Sequence, residues 1–244
     1  MTAYDEHKGY VLSRRAVMTL LGASSAAWFL GESLASRRAS AGLPQPACLV
    51  RPEQTEGPYF VDEQLNRSDI RSDPSTGQVK PGTPLTLMFQ VMRITAGACR
   101  PLSGALIDIW HCDAMGVYSD VQDPGFSTLG QKFLRGCQIA DAGGSTQFLT
   151  IYPGWYPIRT VHIHFKIRTA PVAKKSFAFT SQVYFPDELT DQVHTSPPYS
   201  SMGPRRVRNR HDFIFRDGGD QLMLAPTPTA DGYAATFSIG LRIP

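Results

Sequence analysis

Val161-His162-Ile163-His164-Phe165-Lys166-Ile167 alternates apolar and polar residues without a break. Period two is that of a β-strand, so Val161, Ile163, Phe165 and Ile167 share one face and His162, His164 and Lys166 the other. Outward from this stretch, alternating or apolar runs recur at 85–92, 105–112, 133–140, 148–151, 177–185 and 233–241, separated by Gly, Pro, Ser and Asp clusters. In the last of them Tyr233, Ala235, Phe237, Ile239 and Leu241 alternate with Ala234, Thr236, Ser238 and Gly240. Short strands punctuated in this way predict an all-β fold, a single β-sandwich with long loops. Helix is scarce: one short turn is expected around Asp187–Val193, behind Pro186, and there is neither an internal repeat nor a Gly-rich phosphate loop.

The chain has 244 residues and a formal charge of +3. Ser13-Arg14-Arg15-Ala16-Val17-Met18 leads into an apolar run that ends at Leu30, and Ala39-Ser40-Ala41 has the small-x-small pattern of a cleavage site. This resembles a twin-arginine export signal. A run from Val17 to Leu30 is too short to cross roughly 30 Å of hydrocarbon with ease, so no permanent membrane anchor is expected. Residues 1–41 are therefore read as the signal and 42–244 as one periplasmic or secreted domain. The twin-arginine route moves folded proteins, often with a cofactor installed, and so implies a bound metal.

Removing residues 1–41 takes away five Lys/Arg and three Asp/Glu, which leaves +1 and gives no reason to expect a nucleic-acid partner. The one basic cluster, Arg205, Arg206, Arg208, Arg210 and His211, reads as an exposed loop. It follows Pro204 and the Ser196-Pro197-Pro198-Tyr199 stretch, and it carries no interleaved aromatic residues for base stacking. Cys48, Cys99, Cys112 and Cys137 would meet an oxidising compartment and allow three full disulfide pairings. Cys99 reads as part of a turn, a strand's length from Cys112, which counts against that one pair. The other pairings stay open.

His162 and His164, projecting side by side from one strand face, can lean onto a single ion. Taken alone, they fit a half-exposed face that hydrogen-bonds water equally well. The strand is entered through Ile151-Tyr152-Pro153-Gly154-Trp155-Tyr156-Pro157-Ile158-Arg159, a Pro/Gly-punctuated loop that delivers a tyrosine and an arginine three residues or more ahead of His162. Singly, Tyr156 would be a packing residue and Arg159 a surface cation.

Tyr156-Pro157-x-Arg159-x-x-His162-x-His164, preceded by Pro153-Gly154-Trp155, resembles the core motif of the intradiol ring-cleavage dioxygenases. Thr55-Glu56-Gly57-Pro58-Tyr59-Phe60 resembles that family's N-terminal active-site strand. Gly104-Ala105-Leu106-Ile107-Asp108-Ile109-Trp110-His111-Cys112-Asp113-Ala114, continuing through Gly116 to Tyr118-Ser119, resembles the strand and turn that bear its first tyrosine ligand. Phe133-Leu134-Arg135-Gly136 and Asn209-x-x-Asp212-x-Ile214-Phe215 also look familial. The resemblance runs in order from about residue 48 onward.

That resemblance implies a transthyretin-like sandwich whose Tyr118, Tyr156, His162 and His164 hold non-heme Fe(III). Anionic oxygen ligands suit a hard, oxidised metal, and bound tyrosinates serve as bases as well as ligands. Implied with it are O2 and a catechol-type substrate, the insertion of both oxygen atoms between the hydroxyl-bearing carbons, and a muconate-type diacid product. Tyr156 and Arg159 would be catalytic, Arg159 by stabilising charge on the ring, and Gln182 would orient substrate. Thr55, Gly57, Pro58 and Tyr59 would wall the pocket.

Between Ala41 and Thr55 there is no room for the helical dimerisation domain of catechol dioxygenases. The size is nearer that of the iron-bearing subunit of protocatechuate dioxygenases, which leaves a homo-oligomer or a second subunit open. His7, His111, His194 and His211 read as structural or exposed. Two rival readings are a non-catalytic transthyretin-like binding sandwich and an exported copper or zinc enzyme built on His162 and His164.

Overall fold

Phe89 packs against Phe148, Phe165 and Phe237, with ring centroids 6.2, 5.3 and 5.9 Å away, and these four side chains come from two different sheets. The computed structural model describes residues 48–96, 98–170 and 176–243, all within one compact unit, Pro44–Pro244. The expected export signal lies outside the described residues. The strands of the described residues are β1 (Pro84–Thr95), β2 (Ala98–Pro101), β3 (Leu106–Trp110), β4 (Gln122–Asp123), β5 (Phe126–Ser127), β6 (Arg135–Ile139), β7 (Ser145–Ile151), β8 (His162–Arg168), β9 (Ala178–Tyr184), β10 (Thr227–Pro228) and β11 (Tyr233–Leu241). A single helix, α1 (Asp187–Val193), and three short 3-10 turns complete the described residues.

β1 is the spine of the first sheet. It pairs in parallel with β11 from Leu85↔Tyr233 to Arg93↔Leu241, while its other edge pairs antiparallel with β7 and then β2. The second sheet runs β6-β3-β8-β9, antiparallel throughout. The inward residues of the alternating runs, Leu85, Leu87, Phe89 and Val91 on β1 and Ile163, Phe165 and Ile167 on β8, are fully buried between the sheets. Each such side chain contributes about 1.5–3 kcal/mol by leaving water, and the sum holds the sandwich together. The expected all-β sandwich is therefore the observed fold.

The histidine face of β8 is not half-exposed, because the segment before β1 crosses over it. Gln54 N–H donates to Thr180 O at 3.0 Å, Ser181 Oγ donates to Pro52 O at 2.8 Å, and Lys166 pairs with Glu56 while lying 4.3 Å above the Phe60 ring. Those contacts roof the outer face of β8 and β9, leaving His162 and His164 each 2 % exposed.

Two local expectations change. Cys99 lies in β2 rather than in a turn, and there it forms a disulfide with Cys48, while Cys112 and Cys137 are buried free thiols. Arg205 is not part of an exposed basic surface: its side chain is 3 % exposed and bonded to Asp187 and Asp191 of α1. Acidic residues at the start of a helix welcome such a partner, and Arg208 also pairs with Asp191. No helix among the described residues is long and apolar enough to cross a membrane.

Candidate metal centre

β8 carries His162 and His164 at alternate positions, so both imidazoles leave the same face. Their Nε2 atoms lie 3.1 Å apart, and the Tyr156 hydroxyl is 3.2 Å from His162 Nε2. His162 Nδ1 is 2.6 Å from the Thr160 carbonyl, which can only accept. Its proton therefore sits on Nδ1, and Nε2 presents a bare lone pair toward His164 and Tyr156. Burial, reinforced by the charge of Arg159 at His162 and by the neighbouring imidazole at His164, holds both rings well below the ordinary histidine pKa. They are neutral, as ligands must be.

Tyr118 arrives from the loop after β3. Gly116, with φ +78°, turns that loop so tightly against the next that a Cβ would sit 2.4 Å from Trp155 O. No residue with a side chain fits this crossing, and it brings the ring centroids of Tyr118 and Tyr156 to 5.7 Å. The Tyr118 hydroxyl is buried and makes no hydrogen bond, and His164 Nδ1 is likewise unpartnered. Burial raises the pKa of both phenols above the usual value, for Tyr118 with a further push from Tyr156. Desolvated phenols beside bare imidazole nitrogens are costly in isolation. A cation among them resolves the cost by favouring phenolate and accepting the lone pairs, so this donor set fits a metal ion. No group of three or more His, Cys, Asp or Glu could hold a metal among the described residues, so the convergence depends on the two tyrosines.

Arg159 is buried, with Nε donating to Asp212 at 2.8 Å and Nη2 to Gln182 Oε1 at 2.5 Å. Gln182 is fully buried rather than solvent-facing; it sits opposite His164 in the β8/β9 register, and its Nε2 donates to Thr55 O. Tyr59 stacks on Tyr118 with centroids 4.5 Å apart, and its hydroxyl donates to Asp123 at 2.7 Å. Burial and that carboxylate raise the Tyr59 pKa to about 12, so its phenol stays protonated. Gly57, read as a wall for a planar ring, lies against the imidazole of His164: a Cβ there would be 3.3 Å from Cε1. Thr55 accepts from Gly57 N–H through Oγ1 at 3.2 Å, and Pro58 follows in the same turn.

His111 and His194 are buried and hydrogen-bonded to Thr150 and Pro153 rather than to the two β8 histidines, while His211 is exposed. Sequence reasoning gave no role to Asp212, Thr160 or Trp110. Asp212 was visible only as part of a familial segment, and its partner Arg159 is 53 residues away.

The dioxygenase family model (Dioxygenase_C) matches residues 55–200, more than half of the chain. The protocatechuate 3,4-dioxygenase beta chain of Burkholderia cepacia is 31% identical over 162 residues, 63% of this chain and 66% of that protein. A chlorocatechol 1,2-dioxygenase of Pseudomonas sp. (strain P51) is 30% identical over 149 residues, 53% of each. This chain thus matches between half and two thirds of the length of these curated relatives. Among solved structures, an intradiol ring-cleavage dioxygenase from Tetranychus urticae is 28% identical with a TM-score of 0.69, covering 80% of this chain and 95% of that one. The fold and the family match define the class: this chain belongs to the intradiol ring-cleavage dioxygenase family.

Proposed function

We propose that this chain is a non-heme Fe(III) enzyme that cleaves a catechol-type ring between its two hydroxyl-bearing carbons, consuming one O2 and giving a muconate-type diacid. The observation that carries the reading is the convergence of two neutral imidazole nitrogens 3.1 Å apart with the Tyr156 hydroxyl, beside the unpartnered Tyr118 hydroxyl. Tyr118, Tyr156, His162 and His164 would hold the iron. Ferric iron in that set would acidify the catechol hydroxyls and draw electron density from the ring, which prepares the ring carbon for O2.

The chain's own groups account for the rest. Tyr156, as a phenolate, accepts a catechol proton at its own oxygen, and its exposure to Arg159 favours the charged form. Arg159 stabilises negative charge that develops on the ring, an effect strengthened by the absence of bulk water from a buried site. Gln182 fixes the plane of that guanidinium and helps orient substrate. Thr55, Gly57, Pro58 and Tyr59 line the approach, with Tyr59 offering an aromatic face beside Tyr118. The roof over β8 keeps competing water from the reacting carbon.

Export belongs to the same proposal. The Arg14-Arg15 segment supports it, and so does the Cys48–Cys99 disulfide, since such bonds persist in oxidising compartments. A homo-oligomer or a second subunit remains part of the reading, as the Burkholderia relative is named a beta chain.

The test is metal analysis with visible spectroscopy and oxygen uptake against catechol, hydroxyquinol, protocatechuate and chlorocatechol. The expected protein holds iron, is coloured by phenolate-to-iron charge transfer, and consumes one O2 per ring with at least one of these. A colourless, zinc-loaded or metal-free protein inert to all of them overturns the proposal.

A further inference from the structure

We propose that Asn209 and Asp212 are positioning residues that fix the imidazole of His162 through Thr160, while Asp212 at the same time holds the guanidinium of Arg159 directly; this rests on the iron-site reading above. Both lie beyond residues 55–200, the span matched by the family model, in a segment whose likeness to the family assigns them no role.

Asp212 is fully buried and its carboxylate is saturated. Oδ2 receives Arg159 Nε at 2.8 Å and Thr160 N–H at 2.7 Å, while Oδ1 receives the N–H groups of Ile214 and Phe215 at 2.8 and 3.1 Å. Asn209 takes the other handle of the same residue: Thr160 Oγ1 donates to its Oδ1 at 2.6 Å, and its own Nδ2 is anchored on Phe185 O at 2.9 Å. Thr160 therefore has both of its donors pinned, and its remaining backbone group, the carbonyl, is the acceptor for His162 Nδ1–H. A partner on the non-coordinating nitrogen sets the tautomer and the ring orientation of a ligating histidine. Here that partner is not free to drift, because it is held from two sides.

The backbone just before Thr160 shows the same constraint. Ile158 has φ +70°, a left-handed conformation that a β-branched residue rarely adopts, and its side chain is 71 % exposed, so packing does not hold it there. Such strain persists where the flanking residues over-determine the chain. Tyr156-Pro157 on one side and the clamped Arg159-Thr160 on the other do so. Neither Asn209 nor Asp212 bonds to Tyr118, Tyr156 or a histidine ring, so their action on the side chains that would hold iron is indirect.

The test compares the full-length, iron-loaded parent with Thr160→Val, Thr160→Ser and Asp212→Asn. Iron(III) affinity is read by chelator competition, turnover by oxygen uptake, and folding by circular dichroism with thermal melting. Val keeps the shape of Thr and removes the hydroxyl; Ser keeps the hydroxyl. Thr160→Val should weaken iron binding on the order of 10-fold and lower kcat more than it raises KM. Thr160→Ser should stay within about twofold of the parent, since the bond to Asn209 survives. Asp212→Asn, which removes the negative charge facing Arg159 and one of the two acceptor oxygens, should lower kcat at least as much as Thr160→Val. If Asp212→Asn does not fold, the Val/Ser pair decides alone.

Folded Thr160→Val with parental iron affinity and kcat/KM overturns the proposal, as does Thr160→Ser impaired as badly as Thr160→Val. A parent that binds no iron and consumes no O2 with any catechol refutes the iron-site reading instead. The clamp is then decided in the metal-free chain by the His162 Nδ1 proton in NMR spectra. A slowly exchanging signal in the parent and Thr160→Ser, lost in Thr160→Val, supports it; the same signal in all three overturns it.

Discussion

Trp110 lies flat against His164, with ring centroids 4.9 Å apart and planes 8° from parallel. The two residues are cross-strand partners of β3 and β8, so the register itself stacks them. His162 is oriented by a hydrogen bond from Nδ1, but His164 Nδ1 has no partner, and the indole face takes over that task. Trp110→Ala should cost about 3–5 kcal/mol of stability, the usual price of emptying a buried aromatic position. It should also weaken metal binding well beyond Trp110→Phe, which keeps a stacking face. Denaturant unfolding and metal competition on both variants check this; an Ala variant that is less stable yet binds metal like the parent would show that stacking does not orient the ring.

Gly57 combines a left-handed backbone, φ +72°, with close approach to His164, where an added Cβ would meet Cε1 at 3.3 Å. Gly77 has the same φ and nothing within 4 Å of an added Cβ, which makes it the matched control. Both Gly57→Ala and Gly77→Ala should lose about 1–2 kcal/mol from forcing alanine into the left-handed region. Only Gly57→Ala should also displace the imidazole and weaken iron binding. Equal metal affinities in the two variants would remove the role assigned to this contact.

What could be read from the sequence is what is local. The alternation at 161–167 fixes the faces of β8 with no outside help, and the run at 233–241 does the same for β11, because side chains along a strand alternate regardless of what lies across the sheet. The pair of histidines follows from that alone. The rest of the site is a product of loops brought together over long separations: Tyr118 reaches Tyr156 only because Gly116 lets two loops cross, and Asp212 meets Arg159 across 53 residues. No periodicity encodes such a crossing, which is why Tyr118 came from family resemblance and Asp212 received no role. Arg205 was misplaced for a related reason: a run of arginines looks solvent-exposed until the acidic first turns of α1 are known to face it.

The Cys48–Cys99 disulfide closes a loop with a sequence separation of 51 and ties the start of the described chain to β2. Restricting the unfolded chain over such a loop is worth about 4 kcal/mol on the chain-entropy view, with roughly 2–4 typical of measured disulfides. Mild reductant, or the Cys48→Ser/Cys99→Ser pair, should therefore lower the denaturation midpoint. Cys112 and Cys137, already free, offer no second bridge to lose. A midpoint indifferent to reductant, with thiol counting showing four free cysteines, would mean that the bridge does not form.

His111 sets an acid limit on stability. Its Nδ1–H donates to Cys112 O at 2.8 Å, and its Nε2 lies 2.7 Å from Thr150 Oγ1, a hydroxyl that can serve the ring as donor or acceptor. Full burial, aided by the nearby Arg135 charge, pushes its pKa down to about 4 against an ordinary value of 6.5. The folded pKa lies below the unfolded one, so above about pH 6.5 neither state is protonated and the fold bears no penalty. As pH falls from about 6.5 toward 4, the unfolded chain takes up a proton that the folded chain refuses, and up to about 3 kcal/mol of stability is lost. Burial lowers the pKa of His162, His164 and His194 as well, so the parent's acid sensitivity sums several such contributions. His111→Gln, which cannot titrate, isolates one of them: urea unfolding of the metal-free chain between pH 7 and 5 should fall less steeply than in the parent, by up to about 1.4 kcal/mol per pH unit. Parallel slopes in the two proteins would mean that His111 is protonated in the folded chain as readily as in the unfolded one, against the cost of charging a fully buried ring.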